Sequence, residues 1–364
     1  MTTAANRTKV IVTGAGGAAS IGFCRSLRES INDYELIGFD SDKYHLCLAE
    51  VDHKYLIPKA NDPDYIPIIN HIANRHKADF LHSQPDPEIE VLSENREKLD
   101  VKTNFPEKIV VRNCLNKYAS YQLWQHSGIP VPETMIINSE NDLKVAFENF
   151  GKKIWIRDVK GAAGRGSLPT SNYKEAVSWI DFCNGWGHFT ASEYLTENTI
   201  TWQSIWNDGK LVIAQTRLRK YWEFANRSPS GVTGLTGTGV TISDTNVDTI
   251  ALKCIKAISA NPNGIFSVDM TYDKNGSPNP TEINIGRFFT THHFFTKAGI
   301  NFPDIFVNIS IGKNVKVPSK NINPLCEELA WVRGIDSLPY LTNSKDINKR
   351  VTELEKLRQF VKTQ

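Results

Sequence analysis

The stretch Gly264-Ile-Phe-Ser-Val-Asp269-Met-Thr-Tyr-Asp273-Lys-Asn-Gly276, continued by Thr281-Glu282-Ile-Asn284-Ile-Gly286-Arg287, decides the reading of this chain. Both halves alternate apolar and polar residues, and an Asp-Lys-Asn-Gly turn lies between them, which predicts a β-hairpin. Residues two apart on a strand leave the same face, so Glu282 and Asn284 point together, and Asp269 on the partner strand can face them. Two carboxylates and an amide oxygen on one face suit Mg²⁺, with Mn²⁺ as an alternative. Such hard cations take oxygen ligands and share their shell with phosphates. Arg287, three residues beyond Asn284, can reach the same phosphates. An exposed polar hairpin would show the same alternation, and the choice between the two rests on what lies upstream.

The chain has 364 residues, enough for two or three domains with substantial cores. Hydrophobic residues make up 40% and charged residues 23%, an ordinary globular balance. A formal charge of +2 gives no electrostatic case for nucleic acid or an anionic membrane as partner. No apolar run has the length of a membrane span, and the polar start Met1–Lys9 has no signal core, so a cytoplasmic location is expected. The six cysteines are scattered without a Cys-x-x-Cys pair, which argues against a zinc site or a disulfide framework built on them.

Four segments follow from the pattern. Residues 1–112 alternate strands (9–13, 35–40, 79–83, 108–112) with helices, as in a Rossmann-like parallel α/β sheet. Residues 113–195 begin with a helical connector, and 196–312 hold long strands and the hairpin. Residues 313–364 form a polar extension with a strand-like piece at 329–333 and a charged helix from about Lys345. Gly14, Gly16 and Gly22, with Asp40 ending the second strand, resemble a dinucleotide fingerprint. The third glycine comes six residues after Gly16 instead of three, so a plain strand-to-helix turn is favoured over a nicotinamide site.

In this order the parts resemble the ATP-grasp superfamily, most closely its carbamoyl-phosphate-synthase-like carboxylate–amine ligases. The resemblance covers residues 9–312. It implies a pre-ATP-grasp domain followed by two α+β subdomains that clasp ATP. Lys117, followed by Gly128-Ile-Pro-Val-Pro132, matches the first phosphate-contacting base. Arg157, ending a strand, matches the second. Gly164, Gly166 and Ser167 fall in a glycine-rich loop over the phosphates, where backbone N–H groups approach an anion. Glu193, Tyr194 and Leu195 resemble the hinge that holds adenine. A ribose-binding Glu is expected about where Thr199 stands, with Glu197 two residues early. Asp269, Glu282 and Asn284 match the metal set, with Arg287 beside the reacting phosphate. Gly286 replaces a common Pro.

Substrate contacts are expected from Asp86 and Glu88, which could hold an amino group or simply open a helix. Arg219 and Ser230 lie in or beside a Gly/Ser/Thr-rich stretch, 226–239, where related ligases place a mobile loop. His292 stands among phenylalanines and could orient substrate or pack. The resemblance implies an ADP-forming ligase acting through an acyl phosphate, with ATP and Mg²⁺ as cofactors. Its partners would be a small carboxylate and an amine, and a homodimer is the default assembly. Carbamoyl-phosphate-type kinase chemistry on bicarbonate and a non-catalytic nucleotide-binding module are the alternatives.

Overall fold

The computed structural model describes residues 7–161, 164–334 and 342–363. The chain opens with β1 (Thr8–Thr13), α1 (Ala18–Arg28), β2 (Tyr34–Asp40), the short α2 (His45–Leu48), β3 (His53–Leu56), α3 (Tyr65–His76), β4 (Phe80–His82), α4 (Asp86–Glu94) and α5 (Lys108–Leu115). The four strands form one parallel sheet in the order β3-β2-β1-β4. Val10, Ile11, Val12, Leu36, Ile37 and Phe39 are fully buried, the continuous apolar run of a sheet covered on both faces. Strand order reverses at β1, so the carboxyl ends of β1 and β4 form a topological switch point, where open α/β sheets bind ligands.

Residues 108–112, expected as a fifth strand, are instead the start of α5. Val110, Val111 and Cys114 are buried while Ile109 is exposed, a helical burial pattern that a short β-branched run conceals.

A second unit follows: α6 (Lys117–His126), β5 (Thr134–Ile137), α7 (Glu140–Phe150), β6 (Ile154–Asp158), β7 (Leu168–Thr170), α8 (Tyr173–Phe182) and β8 (Phe189–Glu193). Its antiparallel sheet runs β5-β8-β6-β7 over a separate apolar core of Ile137, Leu143, Ile154, Ile156, Ile180 and Phe189. Three of its helices start on polar caps: Asn116, Ser139 and Asn172 each accept from N–H groups of the first turn.

The third unit is β9 (Thr199–Asn207), β10 (Lys210–Trp222), β11 (Thr236–Ile242), α9 (Thr245–Ile258), β12 (Gly264–Tyr272), β13 (Pro278–Ile285), α10 (His293–Lys297), α11 (Phe302–Ser310), β14 (Ala330–Val332) and α12 (Ser344–Lys362). Its six strands run β13-β12-β9-β10-β11-β14. Part of the 226–239 stretch, expected as loop, is thus strand β11. The C-terminal extension is woven into the fold. β14 lies on the edge of β11, and α12 packs on β3 and α3 of the opening domain. One apolar core runs from the parallel sheet through α5 and α6 into the six-stranded sheet, which fixes the opening domain against the hairpin.

Candidate functional site: a carboxylate hairpin ringed by cations

The predicted hairpin is β12–β13, with Asp269 directly opposite Glu282 and Ser267 opposite Asn284. One face therefore carries Asp269, Glu282 and Asn284. Asn284 Nδ2 donates to Asp269 Oδ2 at 3.0 Å, and Thr201 Oγ1 on β9 donates to Asp269 Oδ1 at 2.5 Å. Burial alone would raise the pKa of Glu282, but Lys117, Arg157 and Arg287 outweigh it and hold the carboxyl below its usual value. Asp269 is raised by burial against the pull of Arg219.

The cations converge from the second and third units. Lys117 opens α6, and its Nζ lies 3.6 Å from Glu282 Oε2 and 2.6 Å from the Gly161 carbonyl. Arg157, near the end of β6, has Nη1 3.9 Å from the same Oε2 and donates Nη2 to the Thr281 carbonyl. Arg287 pairs with Asp86 at the switch point, Nε to Oδ1 at 2.5 Å, and its Nη2 donates to Asn284 Oδ1. Arg217 and Arg219 on β10 are buried. Their guanidinium groups are held by the Thr201 and Thr236 hydroxyls and by the Thr199 and Thr236 hydroxyls, respectively.

This donor set fits Mg²⁺. It offers two carboxylates and, once its side chain turns, an amide oxygen; no nitrogen or sulfur donor completes it. The surrounding cations fit the phosphates that would share the ion. Asp269 and Glu282 would hold the metal, which supplies charge neutralisation for a phosphoryl group.

The glycine-rich loop reaches this cluster through the Gly161 carbonyl, which accepts from Lys117, and residues 162 and 163 lie outside the described residues. Gly164 has φ +68° and packs on Val232; a Cβ there would sit 2.5 Å from the Val232 carbonyl oxygen. Gly164 of one loop therefore meets Val232 of the 226–235 loop. Ser167 is buried and its N–H donates to the Gly164 carbonyl, while Ser230 is bonded within its own loop to Ser228. At the expected adenine hinge, Glu193 ends β8 and accepts from the Glu133 N–H. The Lys153 Nζ lies 3.7 Å over the Tyr194 ring, and Leu195 follows in the crossing from β8 to β9. Thr199, where a ribose acid was expected, instead accepts from Arg219 Nη1 at 2.6 Å. The Tyr194 hydroxyl reaches Glu197 at 3.4 Å.

Two substrate expectations change in the structure. His292 is fully buried, stacked 4.9 Å from Phe288, with Nδ1 on the Phe289 carbonyl, so it packs and does not face an open pocket. Glu88 is 6% exposed inside the first turn of α4, facing the hydroxyls of Thr13, Tyr65 and Ser83. Asp86 is engaged by Arg287. Asp40, the candidate ribose acid of a nicotinamide site, accepts from the N–H groups of Gly16 and Asp42 and so closes its own turn. Gly16 is required there because a Cβ would sit 1.9 Å from the His45 carbonyl oxygen.

Sequence reasoning missed the groups that aim Arg287. Gln84 Oε1 accepts from Phe288 N–H, Gln203 Oε1 accepts from Phe289 N–H, and Ser267 Oγ donates to the Arg287 carbonyl. Both glutamines are buried. Gln84 follows β4 and Gln203 lies on β9, both remote in sequence from residue 287, and only the pairing of β9 with β12 brings Gln203 there.

Residues 10–104 match the family described as the PylC-like, N-terminal domain. No curated protein sequence matches the chain. Among solved structures, N5-carboxyaminoimidazole synthetase from Staphylococcus aureus superposes with a TM-score of 0.65 at 14% identity, over 86% of this chain and 79% of that one. An L-amino acid ligase from Bacillus licheniformis gives 0.64 at 13%, over 85% and 75%. The biotin carboxylase domain of 2-oxoglutarate carboxylase from Hydrogenobacter thermophilus, solved with MgADP and bicarbonate, gives 0.65 at 17%, over 86% and 72%. At such identities the likeness is one of fold, and it runs through all three units. A parallel opening sheet, a small antiparallel unit and a large sheet bearing the carboxylate hairpin thus give this chain a fold like that of these structures, the ATP-grasp arrangement expected from the sequence, with residues 10–104 matching the PylC-like, N-terminal domain.

Proposed function

We propose that the protein is an ATP-dependent, ADP-forming carboxylate–amine ligase. The observation that carries this reading is the convergence of Asp269, Glu282 and Asn284 with Lys117, Arg157 and Arg287 on one hairpin face. Phosphoryl transfer needs little covalent chemistry from a protein; it needs phosphates fixed in line and developing charge neutralised. Lys117 and Arg157 neutralise the phosphate chain where Glu282 now faces them. Arg287 stabilises charge on the transferred group, and Asp86 with Asn284 holds its guanidinium plane. The substrate carboxylate attacks the γ-phosphorus, the bond to the bridging oxygen of ADP breaks, and an acyl phosphate results. The amine then displaces phosphate, forming the C–N bond and releasing a proton.

The loops at 161–167 and 226–235, already in contact across Gly164 and Val232, exclude water from that intermediate. The substrate would sit beside the Asp86–Arg287 pair at the switch point of the opening sheet. ADP release from Mg-ATP, measured across pooled carboxylic acids and amines including amino acids, tests the reading. Turnover that requires both an acid and an amine supports it. Turnover with bicarbonate as the sole acid assigns the carboxylate to bicarbonate. Absence of Mg-ATP binding by calorimetry removes it.

A further inference from the structure

At the end of the opening domain remote from the hairpin, Glu35, His53 and His76 bring their side chains together. Glu35 lies at the start of β2, His53 begins β3 and His76 ends α3. These are the amino-terminal ends of the strands, whereas the carboxylate hairpin meets the sheet at the carboxyl ends, so the two sites are separate. One oxygen of Glu35 and one nitrogen of each imidazole all lie within 4.8 Å of one another. We propose that these three side chains form a surface site for a borderline divalent cation, Zn²⁺ above all, that ties β2, β3 and α3 together.

The distances support coordination. His53 Nε2 stands 3.1 Å from Glu35 Oε1, and His76 Nδ1 stands 3.7 Å from the same oxygen. Zinc bonds of about 2.0–2.1 Å in a tetrahedron require donors about 3.3 Å apart, between those two values. The two imidazole rings lie 4.6 Å apart, so the third edge closes with a small rotation of the more exposed His53. Two imidazoles and one carboxylate suit zinc, whose fourth position water would fill.

The surroundings orient the ligands as metal sites do. The Tyr55 hydroxyl bonds His76 Nε2 at 2.7 Å, which fixes the ring and turns Nδ1 towards Glu35. Burial and the neighbouring His53 push the His76 pKa down, keeping it in the neutral form that binds metal. Lys9 Nζ stands 4.0 Å from the other oxygen, Oε2, leaving Oε1 to the imidazoles. The alternative is a proton-sharing His–Glu cluster with no taste for metal.

Calorimetric titration of the full chain with ZnCl₂, with MgCl₂ as control, decides between these. The expected result is one equivalent of Zn²⁺ on the wild type. Affinity falls at least about tenfold in His53→Ala and Glu35→Gln, and about tenfold in Tyr55→Phe. Cys47→Ser and Cys326→Ser bind as the wild type does. The thermal midpoint should rise with Zn²⁺ in the wild type and stay fixed in His53→Ala, whose side chain is well exposed and whose fold can be checked by Mg-ATP binding. Equal Zn²⁺ affinity in His53→Ala and Glu35→Gln, or no stoichiometric binding by the wild type, overturns the proposal.

Discussion

Glu282 is partly buried and Glu88 almost wholly so, and their environments push them in opposite directions. Glu282 sits on an antiparallel hairpin with Lys117, Arg157 and Arg287 around it, and stays ionised more readily than a free carboxyl. Glu88 sits at the switch point of the parallel sheet with hydroxyl neighbours and no cation among the groups acting on it. Burial there lifts its pKa to about 7. On the proposed reading a carboxylate of a metal–phosphate cluster needs its charge, and the surrounding cations favour that charge. A carboxyl that closes a hydroxyl network is most easily buried as the neutral acid. Carboxylates of one residue type are thus assigned different roles by what the fold packs against them.

Glu282→Gln attacks that comparison most directly. It keeps the shape and removes the charge, so ADP formation should fall by at least about 100-fold with the fold retained, as judged by circular dichroism. Normal turnover in this variant would sink the role given to the hairpin. Next in size is Arg287→Lys. It keeps a charge but loses the paired contact to Asp86 and the bond to Asn284, and turnover should drop about 10- to 100-fold. A smaller drop would mean that charge alone, without orientation, serves the site.

Glu88→Gln should change turnover only within a few-fold but alter the pH dependence of stability. The folded carboxyl keeps its proton up to about 7, whereas in the unfolded chain it loses it near 4.5. Its stabilising contribution is therefore present below 4.5 and is lost as pH rises through 7. Urea midpoints of the wild type should fall relative to those of the variant across that window. A constant difference would mean that Glu88 is not buried as the acid.

His82→Phe should affect turnover least. His82 stacks on Phe23 at 4.3 Å with neither ring nitrogen bonded, and burial depresses its pKa to about 3. In the unfolded chain the ring takes up a proton below about 6.5, so the wild type loses stability as pH falls through that value towards 3. Phenylalanine has no proton to take up, and the acid limb of stability should flatten. An unchanged acid limb would show that the imidazole is solvated after all.

The legible parts of the site were those carried by short-range periodicity. Asp269, Glu282 and Asn284 are linked by a two-residue repeat and a turn of Asp-Lys-Asn-Gly, which local sequence displays in full. Lys117 and Arg157 were legible only through the family resemblance, since a lone base in sequence reads as a surface residue. The run at 108–112 was misread because Ile-Val-Val satisfies a strand and a helix alike over so few residues, and the tie-breaker was which neighbours covered it. His292 was left between a substrate role and packing, and Glu88 between a substrate role and opening a helix, because a polar residue in sequence gives no sign of its burial.

The sequence by itself determined the alternation of strands and helices and the carboxylate hairpin, because each depends on a pattern within a few residues along the chain; the family resemblance singled out Lys117 and Arg157, and the fold brings them to Glu282. Only the tertiary structure decided that Arg287 is aimed by Gln84, Gln203 and Ser267, that Thr199 answers Arg219, and that Glu35, His53 and His76 share one corner. Those residues come from separate strands and helices. Their meeting depends on sheet order and register, which the sum of many weak long-range contacts sets and no local pattern encodes.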